Sequence, residues 1–253
     1  MKKLIQLIIT IAAANTVFAQ QFIDKAVIEY EVKTNIKKTM SNDMWGEMMK
    51  ENMQDFKTGY YRLTFSGDKS IFKFDHWPEN NKLPQYIKDN DENSNWYYDF
   101  AANKYVMQKS FAGTNFVIND SITNISWRLT NESREIAGFN CRKAVGKIQD
   151  SVYVFAFYTD EILIPTGPCS VHGLPGAILG LTIPRLYTSY IATKVMLTGI
   201  NEAVIKPAEA KKPYTYTTFK DFIAEKSKDW FSWGDDKEEN NRQKGLFLWN
   251  LYL

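Results

Sequence analysis

The chain has 253 residues, of which 44% are hydrophobic and 15% aromatic, enough apolar material for a core and too much for a mostly disordered protein. Its 31 lysines and arginines face 29 acids, and two of the lysines, Lys2 and Lys3, fall in the leader described next, so residues 20–253 carry 29 of each. That balance gives no electrostatic reason to bind nucleic acid.

Residues 1–19 open with Lys2 and Lys3, continue as an apolar stretch from Leu4 to Val17 and reach the small residue Ala19. This is the pattern of a secretory signal peptide cleaved near Ala19. Gln6, Asn15 and Thr16 interrupt the stretch and it is short for a membrane helix, so no stable membrane span is expected after cleavage. Gln20 stands where a lipoprotein would carry cysteine. The product is therefore expected in the periplasm or outside the cell.

Beyond the leader, short alternating or apolar runs separated by turn residues read as antiparallel strands. Residues 26–32 place Ala26, Ile28, Tyr30 and Val32 on one side of a half-buried strand. Residues 41–56 switch to helical spacing and concentrate Met44, Met48, Met49 and Met53. Core packing, an adaptable lid over a ligand, a docking face for a partner and copper(I) binding are the alternatives for that element. Residues 60–66 and 69–74 flank Gly67-Asp68 as a hairpin, and 95–99 with 104–109 form a second one. The polar stretch 80–94 between them reads as an exposed loop. Residues 141–148 and 151–159 make a third pair, whose apolar second member belongs in the middle of a sheet. Strands at 177–183 and 189–198, a helix capped near Thr218, a charged solvated segment at 235–244 and a docked apolar terminus at 246–253 complete the chain.

Export favours disulfides, and Cys141 and Cys169 are the only pair, so a bridge worth about 3.5 kcal/mol in chain-entropy terms is expected, against two separate buried thiols. Gly167-Pro168 marks one bend, and Leu174-Pro175-Gly176-Ala177 fits a type II turn. Together these turns aim residues 169–173 back over the apolar strand. Cys169 and His172 with Cys141 raise a thiol nucleophile or a zinc site, but no fourth ligand or orienting carboxylate is apparent. The plain reading makes His172 a polar turn residue. His76 and the aromatic clusters at Trp96-Tyr97-Tyr98 and Trp230-Phe231-Ser232-Trp233 read as structural.

The run Gly173-Leu174-Pro175-Gly176-Ala177-Ile178 resembles the signature of the GLPGLI proteins, exported proteins of Gram-negative bacteria. The resemblance extends upstream through Gly167-Pro168, Glu161-Ile162 and Ala156-Phe157-Tyr158-Thr159 to Ala137-Gly138-Phe139-Asn140-Cys141. Ala177, Leu163 and Cys169 depart from the family pattern of leucine, proline and an aromatic residue. The resemblance implies export and one mostly antiparallel domain over residues 20–253. It supplies no catalytic residues.

The expected architecture is α+β: a curved, mainly antiparallel sheet, half-barrel-like, with one or two helices on one face. The expected function is non-enzymatic binding of a lipid-like or peptide ligand in the cell envelope, without metal or cofactor. The alternatives are an accessory protein of an envelope complex, touching its partner through the apolar terminus or residues 169–176, and a hydrolase.

Overall fold

A computed structural model describes residues 22–111, 113–149, 151–230 and 236–253; the expected leader, and with it the cleavage site, lies outside them. Strand β1 (Lys25–Asn35) buries Ala26, Ile28, Tyr30 and Val32, as its alternation predicts. It pairs along its whole length with β2 (Phe56–Ser66), and on its other side with β11 (Thr188–Met196). The remaining strands are β3 (Lys69–His76), β4 (Asn95–Asp99), β5 (Lys104–Phe111), β6 (Thr114–Ser121), β7 (Ser126–Ile136), β8 (Phe139–Ile148), β9 (Val152–Thr159) and β10 (Ala177–Ile183).

All eleven strands join one open antiparallel sheet, in the order β6-β5-β4-β3-β2-β1-β11-β10-β9-β8-β7. Only residues 122–125 link the two edge strands, β6 and β7. Five Cα steps span at most about 18 Å, so the sheet must curl until its edges approach each other at that end. β9 is an interior strand between β8 and β10, which explains its nearly continuous apolar run.

Five α-helices occur among the described residues: α1 (Ile36–Thr39), α2 (Met44–Glu51), α3 (Gln85–Glu92), α4 (Tyr216–Ser227) and α5 (Lys237–Tyr252). The expectation of one or two was too low, for a common reason. α3 and the first turns of α5 lie in the polar stretches taken for loop and solvated segment, where charge hides an amphipathic pattern. Asp236 caps α5 by accepting from the amides of Glu238 and Glu239. Arg242 then binds Glu239 and donates to the carbonyls of Lys38 and Met40. The same guanidinium holds the Glu239 carboxyl down at about 2. α4 begins one turn earlier than expected: Thr215 is its cap, and Thr218 closes the capping box from the third position. Arg242→Ala is expected to lower stability by about 1 kcal/mol in urea denaturation, the ordinary loss for a half-buried ion pair with its hydrogen bonds.

Strands β6 and β7 were not apparent in the sequence. β7 is exposed along most of its length, so no buried face imposes alternation on it. α5 instead justifies the docked terminus: Leu246, Leu251, Tyr252 and Leu253 are buried, so they cannot serve as a partner contact.

Candidate functional site

The segment between β9 and β10, which carries the Gly167-Pro168 and Gly173-Leu174-Pro175-Gly176 turns, is built into the core. Ile162, Thr166, Cys169, Val171 and Leu174 are buried. Tyr30 donates to the Ile178 carbonyl at 2.6 Å, Thr166 pairs with Ser70 at 2.7 Å, and the Ser170 amide donates to the Leu253 oxygen at 3.2 Å. β3 and the end of α5 therefore hold this segment, and β1 holds the chain just beyond it, in β10. Within residues 169–176, Cys169, Val171, His172 and Leu174 are buried, while Gly173 and Pro175 are exposed.

The turn itself differs from expectation. The Gly176 amide donates to Leu174 at 2.7 Å, closing a three-residue turn about Pro175, while the Ala177 amide reaches Ile162 at 2.8 Å. A type II turn would join Ala177 to Leu174. Proline's fixed φ suits the centre of this tighter turn.

Cys141 and Cys169 are both buried and both free, so the expected bridge is not formed. Burial pushes the Cys141 thiol up to about 12 and the Cys169 thiol up to about 11. Thiols so raised are poor nucleophiles, because the reactive form is the thiolate. Cys169 bonds to the Tyr190 hydroxyl instead of to His172. Among the described residues no three side chains of the metal-binding types gather at one point. His76 ends β3, stacked on Tyr60 at 4.7 Å. Trp96, Tyr97 and Tyr98 are buried; Trp230 is half-exposed, and residues 231–233 lie outside the described set.

The methionine helix turns its apolar stripe outward. Met44 and Trp45 are 81% and 70% exposed, Met48 and Met49 nearly half so, and Gly46 is the one buried residue of α2. The helix stops at Asn52, before Met53, because the chain turns there into β2. Met44, Met48 and Met49 therefore lie on the surface and not in the core.

Room for a ligand lies elsewhere. A cleft of about 400 Å³ opens where residues 122–125 bridge the sheet edges. Tyr98 and Tyr105 from β4 and β5, His172 and Ser170 from the inserted segment, and Tyr216, Lys220 and Tyr252 from α4 and α5 line it. Its polar and charged groups are unevenly committed. Asp120 accepts the Tyr216 amide at 2.9 Å through one oxygen and the Ser121 amide at 2.8 Å through the other. Lys220 hangs over the Tyr216 and Tyr252 rings, 5.5 and 5.7 Å from their centroids. Among the described residues it has no carboxylate within ion-pair reach, and neither has Lys147 on the rim. His172 packs against Tyr98 at 5.0 Å, and burial lowers its pKa to about 4, so it is neutral at physiological pH. The cleft can take an anionic group beside an apolar or aromatic one.

Of the residues singled out in the sequence, His172 and Tyr98 reach this cleft. Gly167, Pro168, Gly173, Leu174, Pro175 and Gly176 shape the segment that carries His172. Lys220, Tyr216 and Tyr252 were missed. The only local signal was the spacing of Tyr216 and Lys220 by one helical turn.

No family model and no curated protein matches this chain. Among solved structures it is similar to PNGF-II in two crystal forms, C2 and P21, each with TM-score 0.52 and 14% identity over 79% of this chain. The match covers 32% and 33% of those chains, so this protein spans about a third of PNGF-II, and the likeness concerns the fold alone. An uncharacterized conserved protein from Thermus thermophilus aligns with TM-score 0.37 and 10% identity over 75% of this chain and 89% of its own. Among the described residues no helix is long and apolar enough to cross a membrane.

Proposed function

We propose that this chain is an exported, non-enzymatic binding protein of the bacterial cell envelope, and that its cleft holds a small peptide-like ligand by a carboxylate. The signal-like leader and the resemblance to exported GLPGLI proteins support the location. The segment before β10 packs inside a half-barrel-like sheet, and the cleft beside it, lined by tyrosines, His172, Asp120 and Lys220, favours a small ligand with a polar group. The observation that carries the reading is Lys220, a cation held over two tyrosine rings with no acid beside it among the described residues. Asp120 shares the cleft but forms no ion pair with Lys220; its oxygens accept the Tyr216 and Ser121 amides. A ligand carboxylate would restore the pairing, and its apolar neighbour would lie on Tyr216 and Tyr252.

Calorimetry with N-acetyl-leucine tests this. Lys220→Ala is expected to weaken binding about tenfold, and the amide of the same compound to bind no better to the native protein than the acid does to the variant. Equal affinity of acid and amide would end the reading. A second reading, an accessory partner of an envelope complex, is favoured by the exposed stripe of Met44, Trp45, Met48 and Met49 on α2.

A further inference from the structure

The cleft lies at the foot of the seam between the two sheet edges, and those edges are not alike. β6 is covered by the chain's own connector: the Asn119 amide donates to Tyr214 at 2.8 Å, and the Tyr214 amide donates to Val117 at 2.8 Å, a parallel bridge. β7 pairs with β8 alone, and among the described residues no backbone group covers its outer side. Natural edge strands are usually blocked by charge, bulges or a covering segment. β7 has its irregularity between Leu129 and Ser133, and its charges Glu132, Arg134 and Glu135 follow. Its first four residues, Ser126 to Leu129, keep regular register with β8, carry Arg128 as their one charge and leave Leu129 53% exposed. The unblocked part of the edge is thus the part that meets the cleft, and Ser126 belongs to both.

We propose that the ligand is the C-terminal end of an extended peptide, with its carboxylate at Lys220 and its preceding residues added to β7 as a further strand. The proposal rests on the cleft being a carboxylate site. β7 runs away from the cleft, so a peptide whose C-terminus enters the cleft runs antiparallel to β7, as every other neighbouring pair in this sheet does. It would run parallel to β6, in the sense already adopted by the Tyr214 bridge. Main-chain hydrogen bonds to residues 126–129 would provide affinity with little dependence on sequence, and the carboxylate pocket would fix the register. Charge complementarity selects a free carboxylate over an amidated or internal segment: Lys220 lies in the cleft and Lys147 opposite Ser126 at the start of the strand.

The test uses the mature protein and four probes: N-acetyl-leucine, an acetylated pentapeptide of alanine and valine ending in leucine, and two forms of that pentapeptide N-methylated at alternate amides. A strand bonds one neighbour through alternate amides only. The pentapeptide is expected to bind about tenfold more tightly than N-acetyl-leucine. One methylated form should lose that gain and the other keep it, and the amides of residues 126–129 should exchange more slowly when the pentapeptide is bound. Equal affinity of pentapeptide and N-acetyl-leucine, or equal effects of the two methylation patterns, overturns strand addition and leaves the carboxylate site standing. If neither probe binds, or Lys220→Ala changes nothing, the carboxylate site fails and strand addition fails with it.

Discussion

Gly176→Ala is expected to destabilise the protein by about 4 kcal/mol or more, or to prevent folding. Gly176 has φ 154°, and a β-carbon built there would lie 1.9 Å from the Thr159 carbonyl oxygen and 3.0 Å from that of Ile162. Both obstacles are backbone, at the end of β9 and in the inserted segment, so no side chain can swing aside. Relief would require separating the residues that pass the chain from β9 into the core and out again into β10. Gly138→Ala is the control. It also has a positive φ, 84°, but its added carbon meets nothing within 4 Å, so it is expected to cost only about 1 kcal/mol. Urea denaturation of both variants measures the contrast. Similar losses at the two sites would show that backbone strain, and not the close approach at Thr159, makes Gly176 indispensable.

Lys109→Met is expected to stabilise the protein at pH 7 by about 2 kcal/mol. Lys109 is buried, its ammonium 4.9 Å from the Trp96 ring centroid, and it joins no ion pair within 4.0 Å among the described residues. Burial lowers its pKa from 10.5 to about 8. A depressed lysine pKa means that the folded state penalises the charge. The penalty is complete below pH 8, where both states are protonated. It is relieved between pH 8 and 10.5, because there the unfolded chain holds a proton that the folded chain has released. The native protein should therefore gain stability across that window, by up to about 3 kcal/mol less what the indole face returns to the charge. The methionine variant should lack this gain, since its side chain fills the same space beside Trp96 without titrating. Thermal melts at pH 7, 8.5 and 10 give both curves. A variant less stable than the native protein at pH 7 would mean that the ammonium contributes more through Trp96 and the nearby Asp91 than its burial costs.

The strands that alternate or run apolar were legible because each has a buried side. β1, β2, β3, β4, β5, β8, β9, β10 and β11 all came from positions such as Ile28, Leu63, Phe72, Ala144 and Val154, which are buried. β6 and β7 were not legible, since an edge strand with water along it can carry Asn, Thr, Ser and charge at any position. α3 and the start of α5 were hidden for a related reason: partners such as Lys57 for Asp91, and Arg242 for Glu239, are distant contacts or depend on helix formation. The methionine stripe was legible as a helix but not as an exposed one, because apolar periodicity records a face and not what covers it.

The sequence by itself determined the antiparallel character of the sheet, its interior strands, and the special conformation required near Gly176, since these depend on residues close together in the chain. Tertiary structure decided that the glycine-proline turns fill the hollow, that the thiols stay apart, that the methionines face outward, and that Lys220 meets Tyr252 at the mouth of a cleft. Those outcomes follow from how an eleven-stranded sheet curls to bring its two edges together, which depends on contacts between residues a hundred or more positions apart. Local spacing cannot encode such meetings, because burial and charge partnership are properties of the assembled surfaces.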